Sequence, residues 1–597
     1  MLPLDLYIAI LEQVPAHRTE SGAVTLINCL RTSTQLRAAA SLGSLWKSHY
    51  KIRYLRSSES EARQPHSGES QAQHNWYLLY AERRRKDRVA LELLDQMVAQ
   101  RQGRYSAAKK LAAMSFDIWD ALDIECMRPV PILDGSTVSA APYALTRRFW
   151  ADAVLSAISK RFAIIQWGLL GNGGLSDGHS PSFVDAFLLL SCFFGRDGKT
   201  PLELRTQLLD LGNACRQWLE KQRCNLDPAM PEYDLPEICT KICQFMHEQG
   251  FGAVQASQFH DIENHFPHLY LTTNKQSIPI SLVHIFVSIA RHLGVSASPV
   301  EFPGRVLAHV PSPPGFDDFL VDVYGADTQP IVSLRDDIPI RLMRLGIPPN
   351  NLLQYVSPCG ASPMLLRAAR NILSSFRMLP MAQIAQSALY AAVCIHLLLT
   401  NEIPLVAHML SHVDLDPLHC STFLADLQPL LRGGGQQLLE TSCRNSLELE
   451  EQEAVRVHPR TTQIQITHYV GMVFKHRSHN YVGCIVGWDS KCRASEQWQL
   501  QMNVQRLARG PNQPFYHVLS LDGGERYVAE DNVAPTELTG GLAQQCLQAV
   551  PILPRYFSDA FTHPESCRGR WRLSPESKFA YPDDEHFAQL YDEYGVV

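Results

Sequence analysis

Tyr469-Val470-Gly471-Met472-Val473-Phe474, followed after a polar turn by Gly483-Cys484-Ile485-Val486-Gly487-Trp488, breaks the pattern of everything before it. These are short runs of β-branched and aromatic residues punctuated by glycine, and Phe515-Tyr516-His517-Val518-Leu519 supplies a third. Such runs predict strands of a small antiparallel barrel or sandwich. Working back from them, apolar residues recur at the helical period. The expected architecture is therefore multidomain and mainly α, closing on a C-terminal all-β domain.

The N-terminus opens the helical part. Pro3 can start a helix, and Leu4, Tyr7, Ile8 and Leu11 follow at i, i+3, i+4 and i+7 until Pro15. Leu26 and Leu30, then Leu42, Leu45 and Trp46, repeat that spacing. Residues 56–72 are polar and read as a linker. Residues 75–178 predict a helical connecting region. Residues 179–435 predict a helix-rich core, and breaks across the helical part fall at Pro129–Pro142, Gly171–Pro181 and Pro311–Gly315. The charged stretch Glu440–Arg460 reads as a hinge with a potentially helical middle. The tail, residues 540–597, is rich in aromatics, proline and acids, and its pattern assigns no fold.

The 597 residues imply several domains, and 45% apolar content excludes global disorder. Lys and Arg number 54 against 60 Asp and Glu, a formal net charge of −6. That excludes holding nucleic acid or anionic membrane by bulk charge. The 15 cysteines are scattered and odd in number, as expected of reduced thiols in cytosol or nucleus. No basic stretch precedes an apolar run at the N-terminus. The apolar stretches Phe183–Phe194 and Ala388–Leu399 are too short to span a membrane. The expected location is cytoplasmic, nuclear or both, with no membrane partner.

Several chemical motifs fail on inspection. Gly195-Arg196-Asp197-Gly198-Lys199-Thr200 resembles the end of a phosphate-binding loop, but Phe193 stands where the earlier glycine is needed. Thr200 capping a helix that opens at Pro201 is the expected reading. Cys239 and Cys243, with His260, His265 and His268 nearby, lack the close-spaced ligand pairs zinc prefers. No metal or cofactor is expected. Arg83-Arg84-Arg85-Lys86 reads as a solvated helix face, with nuclear import as the lesser alternative.

Three constellations carry more. Residues 1–55 resemble an F-box, which docks on the Skp adaptor of cullin-based ubiquitin ligases. The matching residues are Leu2, Pro3, Leu4, Asp5, Leu6, Ile8, Leu11, Leu26, Leu30, Leu36, Leu45 and Trp46. The resemblance implies Skp binding through Leu2, Pro3, Leu4, Leu6, Ile8, Leu11, Leu45 and Trp46.

Ile278-Pro279-Ile280-Ser281-Leu282, Ala290–Val295, Phe302-Pro303-Gly304 and Leu320-Val321-Asp322 resemble the SirB-type transglutaminase-like domain. Active members need a Cys nucleophile, a His base and an Asp. Here the corresponding positions are Ser281, Arg305 and Asp322, a degenerate triad, because Arg stays protonated. The resemblance therefore implies the fold without catalysis and a chain that is not an enzyme. His284 and His309 lie close in sequence.

Residues 465–537 resemble the YccV-like domain named for hemimethylated-DNA binding. The match rests on Tyr469–Val473, His476-Arg477, Tyr481-Val482-Gly483, Gly487-Trp488-Asp489, Gln513–Tyr516 and Tyr527–Val533. The candidate partner-binding residues are His476, Arg477, Trp488, Asp489, Tyr516 and Tyr527. His476 and Arg477 either bind phosphate or carboxylate, or brace the barrel by pairing with Asp489 or Glu530. Residues 467–535 carry seven basic and six acidic side chains, net +1. Protein is favoured over DNA as the partner.

The three in this order resemble the F-box only protein 21 family. The resemblance implies a substrate-recognition subunit of an SCF-type ubiquitin ligase in the ubiquitin conjugation pathway. Its partners would be Skp, the cullin scaffold and a protein substrate. The alternatives are DNA binding through the YccV-like region or, less favoured, an active transglutaminase-like or protease-like enzyme.

Overall fold

A computed structural model describes residues 2–58, 75–130, 142–171, 181–325, 329–348, 352–378, 383–400, 403–410, 416–431, 433–460, 465–562 and 569–594. Most of the linker expected at 56–72, and of the breaks near 129–142 and 171–181, lies outside the described residues. The chain is mainly helical with a β-rich C-terminal region, as expected. It divides into two compact units: the described residues of 1–58, 64–155 and 447–597, and those of 156–446. The second is an insertion in the sequence of the first.

In the first unit, the helices Leu4–Leu11, Ser21–Thr32, Thr34–Ala40 and Gly43–Arg53 follow the apolar spacing. Ser33 starts the third by accepting the Leu36 amide at 3.2 Å. Their inward stripes meet in a core of Leu11, Leu26, Ala39, Ala40, Leu45 and Trp46, completed by Tyr54 and Tyr80. The Trp46 indole donates to the Ala40 carbonyl at 2.7 Å, so its one polar group is satisfied inside. Gly22 is required here, since a Cβ would sit 2.0 Å from the Pro15 carbonyl oxygen.

The helix Trp76–Ala99 carries the basic run, and the solvated face expected there is corrected. Arg83 is buried, donates to the Arg56 carbonyl at 2.8 Å and lies 3.7 Å from Asp120. Arg84 pairs with Glu20 at 3.0 Å and Lys86 with Asp117 at 2.8 Å. Only Arg85 of the four is exposed.

Of the stretch expected as a hinge with a helical middle, residues up to Ala454 belong to the helix Gly434–Ala454. Its Glu450 joins a cluster in which three guanidinium groups share two carboxylates. Arg101 and Arg555 reach Glu450 at 2.8 Å each, and Arg104 and Arg555 reach Glu576 at 2.6 and 3.1 Å. Burial would raise the Glu450 pKa, but Arg101, Arg555 and Tyr105 more than offset this and hold it at about 2.

The five strands Val473–His476, Val482–Asp489, Phe515–Ser520, Gly524–Ala529 and Val533–Pro535 form one antiparallel sheet. In space the order is 524–529, 515–520, 482–489, 473–476, 533–535. The two edge strands do not pair among the described residues, so the sheet is not seen to close into the expected barrel. A register shift between Ile485 and Gly487 bends the longest strand.

The tail that sequence could not assign folds into the helix Gly540–Ala549, the hairpin Phe557–Thr562/Gly569–Leu573 and the helices Leu553–Tyr556, Pro575–Ala580 and Asp584–Tyr594. Cys546, Leu553, Phe557, Trp571, Leu573 and Ala588 share one core with Ile485, Trp488 and Val518 of the sheet.

In the second unit, Pro279 opens the buried helix Pro279–His292. Beside it lies an antiparallel sheet of Ser298–Val300, Leu307–Val310, Phe319–Val321 and Ile331–Ser333, in that order. Thr200 caps Pro201–Lys221 as expected: its hydroxyl accepts the Glu203 amide, and the Glu203 carboxylate accepts the Thr200 amide at 2.8 Å. Phe183–Phe194 and Ala388–Ile395 are core. The helix Ala144–Gly171 is long and apolar enough over Ala144–Leu170 to cross a membrane, and its Val154, Leu155, Ile158, Ile164 and Trp167 are buried in protein.

Candidate functional site

The first helix separates its apolar residues between two stripes. Leu11 turns into the core, Ile8 is half-buried, and Leu4, Leu6 and Ile10 are 44%, 49% and 56% exposed. Leu2 and Pro3 are also exposed. Leu4 is exposed at the start of the core-facing stripe of Tyr7, Ile8 and Leu11, and of the residues expected to bind Skp only Leu2 and Leu6 present an apolar strip on the opposite face. Leu11, Leu45 and Trp46 do not, because they hold the helices together from within. Ile10 belongs to the strip and was missed. The i, i+4 spacing of Leu2, Leu6 and Ile10 was its available signal.

In the second unit, Ser281 is buried and donates to the Asn264 carbonyl at 2.6 Å. Arg305 lies 2.9 Å and Arg341 2.7 Å from the same Asp322 oxygen, and the other oxygen accepts the Gly325 amide at 3.1 Å. Arg305 and Asp322 are thus brought together, and Arg341 joins them as a partner that sequence did not suggest. His284 is held between the Tyr270 hydroxyl and the Val184 carbonyl, both 3.0 Å away, and burial lowers its pKa to about 4. His309 faces Asp318 at 3.1 Å. Cys239 and Cys243 are buried, and burial pushes the Cys239 thiol up to about 12. Among the described residues no three His, Cys, Asp or Glu side chains gather as metal ligands.

The C-terminal sheet lines a groove of about 1300 Å³. His476, Asp489 and Tyr527 reach it, together with His458, His479, Tyr481, Arg493, Trp498, His517 and Arg526, which sequence did not single out. Asp489 organises one wall: it accepts from Tyr527 at 2.9 Å and His517 at 3.1 Å and pairs with Arg493 at 3.1 Å. Burial works against its charge, but these partners prevail and lower its pKa. Four arginines and four carboxylates line the groove, so its charge is balanced.

The other three expected partner-binding residues are placed elsewhere. Trp488 and Tyr516 are core: the Trp488 indole donates to Asp584 at 3.1 Å, and the Tyr516 hydroxyl to Glu530 at 2.5 Å. Arg477 is exposed and donates to the Val533 carbonyl at 3.2 Å, while His476 Nδ1 accepts the Ser478 and His479 amides at 3.1 Å each. The pair does brace the sheet, but through backbone groups rather than through Asp489 or Glu530.

Two family profiles match the chain. "Transglutaminase-like superfamily" covers residues 205–329, and "Hemimethylated DNA-binding protein YccV like" covers residues 466–560. F-box only protein 21 of Pongo abelii is 26% identical over 338 residues, 52% of this chain and 49% of its own. The mouse protein of that name (Mus musculus) is 26% identical over 361 residues, 55% of this chain and 52% of its own. The human one (Homo sapiens) is 26% identical over 345 residues, covering 52% and 50%. The chain spans about half the length of the curated relatives it matches. No solved structure matches it. With both domain profiles in the expected order and these similarities across half its length, the chain is similar to F-box only protein 21.

Proposed function

We propose that the chain is a substrate-recognition subunit of an SCF-type ubiquitin ligase, acting in cytoplasm or nucleus. The observation that carries this reading is the exposed pair Leu6 and Ile10, at i and i+4 on the first helix, with exposed Leu2 just before it. An amphipathic helix with an uncovered apolar face suits docking into a groove on an adaptor. The similarity to F-box only protein 21 supports the same partner.

The other parts would select the target. The groove on the C-terminal sheet combines Trp498 and Tyr527 with balanced charge, a lining suited to a protein segment. The transglutaminase-like region would serve as a scaffold. Two arginines neutralise Asp322, and the Ser281 hydroxyl is committed to a backbone carbonyl, so neither is free to assist acyl transfer. Ubiquitin transfer would then belong to partner subunits, with this chain acting by holding the target close.

The test is co-purification of the intact chain with Skp and cullin. Association should be lost in Leu6→Glu/Ile10→Glu while the melting temperature holds. No Skp association by the intact chain under mild conditions would overturn the reading.

A further inference from the structure

A cleft of about 290 Å³ opens between the helices Ser21–Thr32 and Trp76–Ala99. Ile27 and Leu30 form an apolar lip on one side, and Trp46, Tyr77 and Tyr80 make an aromatic floor. Its remaining lining is cationic: Arg31 on the first wall, with Arg84, Arg85 and Arg88 on the second. The helical period explains the second wall, because Tyr77, Ala81, Arg84 and Arg88 fall on one stripe.

No carboxylate lines the cleft. Arg84 is paired outside it with Glu20, but among the described residues Arg31, Arg85 and Arg88 form no ion pair. Arg84 and Arg88, four apart on one helix, repel each other. This concentration of positive charge runs against a chain whose net charge is −6. A complementary occupant carries compact negative charge on a flat apolar stem. Guanidinium forks match phosphate oxygens, and the ring floor and lip match an aromatic ring. The volume suits one side chain, whereas a nucleic-acid strand needs a groove that tracks several phosphates.

We propose that this cleft binds a phosphorylated tyrosine side chain on a protein segment. Arg31, Arg85 and Arg88 hold the phosphate, and Tyr77 with the Ile27–Leu30 lip holds the ring. The proposal does not rest on Skp docking, which the exposed strip of the first helix would provide.

The test uses saturation-transfer NMR on the full chain with N-acetyl-phosphotyrosine amide, N-acetyl-phosphoserine amide and N-acetyl-tyrosine amide. The first should bind most strongly. Its binding should weaken by roughly tenfold or more in Arg85→Ser/Arg88→Ser and, independently on the other wall, in Arg31→Ser. Melting temperature and Skp co-purification should be unchanged in both variants. Equal binding of tyrosine amide or phosphoserine amide, or undiminished phosphotyrosine binding in both variants, would overturn the proposal. So would loss in the variants of binding by a short oligouridylate rather than by the phosphotyrosine amide, which would make the cleft a nucleic-acid site.

Discussion

The Asp584 carboxylate accepts the Trp488 indole N–H at 3.1 Å, and with it the Val470 amide and the Arg460 guanidinium, each at 2.7 Å. One fully buried acid from the last helix thereby ties together a strand, the segment leading into the sheet and an arginine more than a hundred residues away. Asp584→Ala would leave the Arg460 Nε–H, the Trp488 indole N–H and the Val470 amide without this acceptor, while the Arg460 Nη groups keep the Ile466 and His468 carbonyls. The expected cost is about 3–5 kcal/mol, read as a shift in urea midpoint and as loss of near-UV tryptophan dichroism.

Trp46 and Leu6 sit in the same N-terminal helices but should respond in opposite ways. Trp46→Ala removes a side chain only 1% exposed and is expected to destabilise the first unit by about 3–5 kcal/mol. Leu6→Ala should stay within about 0.5 kcal/mol of the parent and weaken only Skp association. Thermal melts paired with co-purification separate the two effects.

Asp87 gives a pH signature. Burial raises its pKa from 3.8 to about 6, partly countered by Arg53, which lies 3.0 Å away, and by Arg83. The folded chain therefore binds a proton that the unfolded chain releases between these values. Asp87's contribution is fully present below about pH 4 and is lost as pH rises through 6, a loss of about 3 kcal/mol. Asp87→Asn should flatten that part of the stability-versus-pH curve, measured by denaturant titration at several pH values.

Ser281→Ala should cost about 1 kcal/mol, because the Asn264 carbonyl keeps its second donor, Ser277, at 2.9 Å. Amine incorporation into glutamine peptides should be absent both before and after the substitution. Turnover by the parent that disappears in the variant would restore an enzymatic role to this region.

For the C-terminal groove, four cations against four carboxylates predict feeble duplex binding with a shallow salt dependence. Fluorescence anisotropy with hemimethylated and unmethylated duplexes across a salt series should give indistinguishable curves.

Local pattern disclosed much of this fold. Proline starts, the Thr200 capping box and the change of period at Tyr469 are short-range signals, and each marks an element in the structure. What stayed hidden depends on partners far along the chain. Alternation places Trp488 opposite Gly487 and Asp489, but only the tail decides that the Trp488 face is covered. Asp584 and Tyr581, some ninety residues on, do so. Arg83 likewise reads as solvated until Asp117 and Asp120 are seen to face it. The acid-rich composition of the tail assigned it no fold, and its Asp584 and Glu576 are buried because arginines elsewhere neutralise them. The exposed apolar residues of the first helix were half legible, since two apolar stripes share one short helix and only packing shows which is spent on the core.

The Arg104–Glu576 pair joins residues 472 positions apart, with Arg104 wholly enclosed. At synthesis rates of about 5–20 residues per second, Arg104 leaves the ribosome roughly 25 to 95 seconds before its counter-ion exists. The entire inserted second unit is translated in that interval. The helices after Trp76 must therefore wait with an unneutralised guanidinium. A chain cut short of residue 576 would carry its N-terminal module on an unfinished foundation, an incomplete state that quality-control factors could recognise.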